Sequence, residues 1–397
     1  MNWRIAKPLV RKSLALILVG VAFVFVGQAQ SQDPEPTPSK DHPLLEVDLR
    51  EFGHDTFSST KRLHKFVDFT DSSHLALSWL TLDDLTQAAK IGSLTPQPAH
   101  LHVLVLDAIT GRKQGLQEWS TPSSPVRFLG VRDGKFLTCT GNVLRLFSPA
   151  FEVMREQNLP GDRACLDPWF SSGQGISPSR RSLLLTSYSG QNYQQTLLDI
   201  ETFTPIATWI ENLSTRDISD HWLVGHCNQP LEVCIREIDQ PWQHFRPVGL
   251  GEQMNHAMRS TEFFVNDRTL VIEAWNKMAV TTADATVLLQ INLPNNRSFG
   301  SLMRFSGGER FAVIENKQRG LKSEPLDMYP FPSNDRVVVY SIPDRRAIFA
   351  VKVKGTSPWP PWEVHTNKVA LSPDGALLAV VSDGQLKVYR LPDRNSR

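Results

Sequence analysis

The run Lys368-Val-Ala-Leu-Ser-Pro-Asp-Gly-Ala-Leu-Leu-Ala-Val-Val-Ser-Asp-Gly-Gln-Leu-Lys-Val-Tyr-Arg-Leu391 reads as strand, turn, strand, turn, strand. Pro373 presets φ in the first turn and Gly375 admits the positive φ that follows it. Asp383-Gly384 between two apolar runs is a hairpin signal of the primed-turn kind. The apolar positions follow a period of two, which suits a pleated strand and not a helix.

Weaker copies of this pattern precede it at Val67–Ser78, Phe128–Thr138, Ile176–Leu185, Ile218–Gly225, Phe264–Ile272 and Met303–Ile314. With the last unit they make seven. They recur roughly every 50 residues, the spacing of propeller blades. Further strands follow within units, as in Thr196–Ile200 and Thr204–Thr208. Helical signal is weak, and its best candidate is Thr81–Lys90.

These units resemble the WD40-like and YVTN-like β-propeller superfamily over residues 44–393. The repeated Gly-His start and Trp-Asp end of eukaryotic WD40 repeats are absent, so no partner-binding residue carries across. The resemblance implies an all-β chain folded as a single β-propeller of seven four-stranded blades. Six or eight blades, a large β-sandwich or two β-domains are the alternatives. The last unit supplies only three strands. Its fourth is expected from Leu44-Leu-Glu-Val-Asp-Leu49, which would close the ring and protect its edges.

The N-terminus has the three parts of a secretory signal peptide. Arg4, Lys7, Arg11 and Lys12 precede an apolar run from Leu14 to Val26, and Gly27-Gln28-Ala29 offers small residues for cleavage. The run is shorter than the roughly 20 residues that span a bilayer. Residues 1–29 are therefore read as a signal peptide, with an uncleaved signal-anchor tethering the chain to the membrane as the alternative. Residues 30–43, with Pro34, Pro36, Pro38 and Pro43, read as an extended tether. Residues 394–397 form a tail. The expected location is periplasmic or secreted, with no membrane insertion once the signal is cleaved.

The whole 397-residue chain carries 42 basic and 41 acidic residues. Removal of the leader leaves it near neutral, which excludes a phosphate-driven nucleic-acid partner. Four cysteines, Cys139, Cys165, Cys227 and Cys234, would enter an oxidising compartment, where disulfides persist. Cys227 and Cys234 flank the polar turn Asn228-Gln229-Pro230, so a hairpin pairs them, and Cys139–Cys165 follows by elimination. Four unlinked buried thiols are the alternative. No Cys-x-x-Cys is present, although His221 and His226 lie near Cys227.

The sequence holds no His-Glu-x-x-His, Gly-x-Ser-x-Gly or phosphate-binding glycine loop. His100 and His102 would share one strand face and so could meet a metal, but they read first as the start of an exposed strand. Asp83 and Asp84 read as a solvated face, and Asp374 and Asp383 as turn residues. No metal, cofactor or catalytic residue is assigned. Two long loops stand out, Asn316–Asp335 with Tyr329 and Phe331, and Gly355–His365 with Trp359 and Trp362. Aromatic side chains on stiff segments offer contact area at low entropic cost, so these four are the candidate binding residues. The alternative for the tryptophans is packing against a blade.

The expected function is a non-catalytic propeller that binds a protein partner as a scaffold module, in the cell envelope or the extracellular space, as a monomer. A small-ligand-binding propeller and a propeller enzyme are the alternatives. The resemblance implies a lactonase or hydrolase for the latter. A quinone-dependent dehydrogenase of the related eight-bladed kind would need adjacent cysteines and a repeated Trp docking motif, and neither is present.

Overall fold

Turn chemistry builds the repeating unit. In the last blade, Ser372 Oγ accepts from Leu377 N at 2.9 Å, Asp374 Oδ1 accepts from Ala376 N at 3.0 Å, and Gly375 sits at φ 69°. The same serine recurs at the end of other inner strands. Ser177 Oγ accepts from Ser182 N at 3.2 Å, and Ser219 Oγ from Trp222 N at 2.8 Å. Each of these turns folds an inner strand back onto a second one, and two further antiparallel strands follow.

The computed structural model describes residues 42–54, 65–82, 99–121, 126–130, 133–140, 142–159, 175–189, 192–211, 215–227, 232–239, 246–248, 260–274, 276–299, 305–317, 335–353, 366–382 and 384–393. They form seven antiparallel blades. Blade 1 is Lys65–Phe69, His74–Leu82, Ala99–Asp107 and Lys113–Thr121. Blade 2 is Val126–Gly130, Phe136–Thr140, Val143–Phe147 and Val153–Asn158. Blade 3 is Ser182–Ser189, Asn192–Asp199 and Pro205–Glu211, with a bridge from Ile176 to Leu183 marking its inner strand. Blade 4 is Thr215–Ile218, Trp222–Cys227, Glu232–Glu237 and Arg246–Pro247. Blade 5 is Ser260–Asn266, Thr269–Ala274, Lys277–Thr282 and Val287–Asn292.

In blade 6, Arg297–Phe299 and Phe305–Gly307 pair with opposite ends of Arg310–Lys317, followed by Asp335–Ser341 and Arg346–Val353. Blade 7 is Val369–Leu371, Leu377–Ser382 and Gln385–Arg390, completed by Leu45–Asp48. The closing register runs from Leu45 opposite Val388 to Asp48 opposite Gln385. The expected closure by the N-terminal strand is thus present, and the fold is a seven-bladed β-propeller.

Alternation decides the packing. Successive side chains on a strand point to opposite faces, so every blade carries two apolar faces, one for each neighbour. Phe263, Val265 and Val271 of blade 5 meet Phe311 and Val313 of blade 6, whereas Phe264, Leu270 and Ile272 meet Val224, Val233 and Ile235 of blade 4. Each of the seven seams between neighbouring blades holds such a cluster, including the seam between blades 7 and 1. The seam between blades 1 and 2 is aromatic, with Phe136 stacked on Phe147 at 5.0 Å. Such a pair adds about 1 kcal/mol beyond its burial.

The helix expected over Thr81–Lys90 starts inside a strand. Thr81 and Leu82 continue His74–Leu82, with Thr81 paired to His100 and Leu82 to Ala99. Tertiary pairing outweighs a local capping pattern there. The remainder of that stretch lies outside the described residues, as do residues 1–41 and 394–397.

Candidate functional site

The two ends of the ring differ. Inner strands run in one direction, as the parallel pairing of Thr366–Asn367 with Lys65–Phe66 shows for blades 7 and 1. All turns from an inner to a second strand therefore lie at one end. Bonds from blade to blade link that end. Gly134 N donates to the Thr70 carbonyl at 3.2 Å, and Lys135 Nζ lies 2.8 Å from Glu201. Arg155 Nε donates to the Glu201 carbonyl. Ser219 Oγ donates to Asp267 Oδ1 at 3.1 Å, and His221 Nδ1 lies 2.7 Å from Asp267 Oδ2. Arg310 donates to the Gly375 and Pro392 carbonyls at 2.8 and 2.7 Å.

Arg180 strengthens this end further. It occupies the place in Ser177-Pro178-Ser179-Arg180 that Gly375 holds in Ser372-Pro373-Asp374-Gly375, and it has φ 58°. A side chain in that region costs about 1–2 kcal/mol. Its guanidinium reaches past blade 2 to blade 1, where Nη2 donates to Asp68 Oδ1 at 2.9 Å and Nη1 donates to the Phe69 carbonyl. Those charge-assisted bonds offset the strain. Arg180→Ala, which keeps the strain and loses the bonds, is expected to cost about 1–3 kcal/mol in thermal unfolding. Arg180→Gly loses the same bonds but relieves the backbone, so it is expected to cost about 1 kcal/mol less than the alanine. Equal losses would show that the backbone is unstrained.

Inside the ring, Asp217 is fully buried on the inner strand of blade 4. Its Oδ1 accepts from Gly175 N of blade 3 at 3.3 Å, and its Oδ2 from Phe264 N of blade 5 at 2.8 Å. One carboxylate therefore joins three inner strands.

The strands that flank residues 83–98, 160–174, 318–334 and 354–365 all end at the opposite end of the ring. The two long sequence loops thus leave from the same end. Trp359, Trp362, Tyr329 and Phe331 lie outside the described residues, and so does Cys165.

Two polar clusters mark this end within the described residues. On blade 1, His100 and His102 do share a strand face. They converge on Glu118, with Nδ1 to carboxylate distances of 2.9 and 3.5 Å. His102 stacks on buried Trp79 at 5.2 Å, and His54 meets the Trp79 edge at 5.5 Å. Burial lowers the His102 pKa, the Glu118 charge opposes that, and His100 adds to it. Among the described residues, no three His, Cys, Asp or Glu side chains are arranged to hold a metal ion.

The second cluster lies in the seam between blades 5 and 6. Glu315 is fully buried, and its Oε2 accepts from Arg336 Nε at 2.7 Å and lies 2.6 Å from Nη2. Tyr340 Oη donates to Glu315 Oε1 at 3.1 Å. Burial first, then the Glu315 charge, push the Tyr340 phenol well above its usual range, so it stays a donor.

The expected cysteine hairpin exists as Trp222–Cys227 and Glu232–Glu237. In its register Cys227 stands opposite Glu232, and Cys234 opposite Gly225. Cys139 and Cys234 are buried, and no cysteine among the described residues is free. Asp374 serves its turn as expected, while Asp83, Asp84 and Asp383 lie outside the described residues.

Sequence reasoning missed Asp217, Arg180, Glu315 and Arg336. Only Arg180 left a signal, an arginine at the glycine place of a repeated turn.

No protein-family model and no curated protein matches this sequence. Among solved structures, Kluyveromyces lactis Hsv2 is similar at 12% identity and a TM-score of 0.49, over 84% of this chain and 95% of that one. Kuenenia stuttgartiensis hydrazine synthase is similar at 11% identity and a TM-score of 0.47, over 82% and 95%. Likeness at this level carries nothing about activity. The class is that of the seven-bladed β-propellers.

Proposed function

We propose that the chain is an exported, non-catalytic propeller of the WD40-like or YVTN-like kind that docks a protein partner in the cell envelope or the extracellular space. The carrying observation is the difference between the two ends. One end is tied by turns and cross-blade bonds, and the other is where the strands flanking the four connections 83–98, 160–174, 318–334 and 354–365 terminate. Binding residues concentrate on connections held by a rigid scaffold. Trp359 and Trp362 on one connection, and Tyr329 and Phe331 on another, supply the aromatic anchors. The basic and apolar leader of residues 1–29 supports export, and export supports disulfides Cys227–Cys234 and Cys139–Cys165.

Crosslinked affinity purification of the tagged mature chain from its native envelope fraction tests this reading. A stoichiometric protein is expected with the wild type and is lost when Trp359 and Trp362 are both replaced by Ala. Replacing two anchor residues of this kind is expected to weaken binding at least about 30-fold. Recovery of the same partner by the double variant, or of no partner by the wild type, would overturn the proposal.

A further inference from the structure

Among the described residues, Glu273 is a carboxyl with no cation paired to hold it ionised. It lies near the end of the second strand of blade 5, is 4% exposed, and faces blade 6. Its strand partners are Thr261 and Met278, neither of them charged. Its Oε1 is buried and has no hydrogen-bond partner among the described residues.

The described cations near Glu273 lie against Glu315 or on the other face of the sheet. Arg336, on the third strand of blade 6, bonds Glu315 on the second, and Arg297 Nη1 lies 3.8 Å from the same Glu315 oxygen. Tyr340 Oη also donates its hydrogen bond to Glu315. Lys277 stands opposite Ala274, one residue on, and so on the other face of the blade 5 sheet. Glu262, on the inner strand of blade 5, pairs with Ile272 and so lies on the face toward blade 4; it is a further buried carboxyl whose charge acts against a charge on Glu273. Glu273 therefore faces one acidic neighbour, Glu315, in a water-poor seam, with a second, Glu262, behind it on the other face of its own sheet. An ionised carboxylate in such surroundings is far costlier than a neutral one.

We propose that Glu273 holds a proton in the folded protein at neutral pH, and that this proton allows blades 5 and 6 to close on each other. Loss of the proton to solvent would leave an unpaired charge facing Glu315 and loosen the seam. The effect would be felt first at Glu315 and Arg336, the paired residues beside the ends of residues 318–334. The inference is independent of what the protein binds. Burial, then the charges of Glu262 and Glu315, push the Glu273 carboxyl well above its ordinary range. A raised carboxyl contributes stability that is fully present below the unfolded pKa and is lost as pH rises through the folded one.

The test is thermal unfolding of the wild type and Glu273→Gln over a pH series from about 5 to about 9. The glutamine keeps the shape and cannot ionise. The wild type is expected to lose about 2–5 °C more than the variant over the alkaline half of the series. Parallel profiles would overturn the proposal. Should the variant fail to fold, hydrogen exchange of the wild type decides. After correction for the intrinsic pH dependence of exchange, amides of Thr269–Ala274 and Arg310–Lys317 are expected to lose protection with rising pH while those of Phe136–Thr140 do not. A uniform response across these strands would overturn it equally.

Discussion

A chain shortened to begin at His54, without Leu45–Asp48 and the turn after it, will lose cooperative thermal unfolding. The deleted strand supplies the outer edge of blade 7 and one wall of its seam with blade 1. Leu49 is fully buried there, and Leu45, Val47 and Phe52 pack on the same cluster. Removing one buried leucine costs about 2–5 kcal/mol. The deletion takes four apolar side chains, together with backbone bonds such as Leu44 N to the Val388 carbonyl at 2.7 Å and Leu49 N to the Gly384 carbonyl at 2.8 Å. Total stabilities of folded proteins are about 5–15 kcal/mol, so the loss is of the same size as the whole. The exposed edge of Gln385–Arg390 would also invite pairing with another chain. Calorimetry of the shortened chain is the measurement, and addition of a peptide covering residues 42–54 should restore a single transition. An unchanged midpoint without the peptide would show that the ring does not depend on this closure.

The second large effect belongs to Asp217. Asp217→Ala will leave the Gly175 and Phe264 amides without their acceptor, inside the ring and away from water. An unsatisfied buried donor costs about 1–3 kcal/mol, so two give a loss of about 2–6 kcal/mol in chemical unfolding. Asp217→Asn retains one oxygen and should lose about half as much. The two variants separate hydrogen bonding from packing, since Asn fills the space that Ala empties. If both lose the same, the negative charge itself, and not the pair of acceptors, secures blades 3, 4 and 5. Purification yield alone would not distinguish these outcomes, so denaturant midpoints at constant slope are needed.

The aromatic pair Trp359 and Trp362 was legible as a candidate because two large side chains on a proline-rich segment are unusual in composition. The structural partners of the seams were not legible in the same way. Glu273, Glu315 and Arg336 lie on three different strands, and Glu315 and Arg336 are separated by 20 intervening residues that include the connection 318–334. Nothing in their own neighbourhoods distinguishes them from solvated charges on alternating strands. The cysteine register shows the same boundary on a small scale. The hairpin was readable from its apolar flanks, but its register, with Cys227 opposite Glu232, is set only when the two strands pair.

By itself, the sequence determined the blade. Ser-Pro-Asp-Gly at 372–375 imposes a local turn through its own side chains and φ preferences, and the period-two apolar runs make strands with two apolar faces. Seven such units and a spare strand at Leu44–Leu49 were enough to anticipate the ring and its closure, because those signals are carried by residues close in the chain. Only the tertiary structure decided which buried charges meet. Asp217 reaches amides 42 and 47 residues away, and Arg180 reaches Asp68 across 112 residues. Such pairings depend on the rotation of one blade against another, which many similar sequences would share without sharing the contacts. The difference between a tied end and an end where the flanking strands of the long connections gather belongs to that same level, since it exists only once the strands are arranged in a ring.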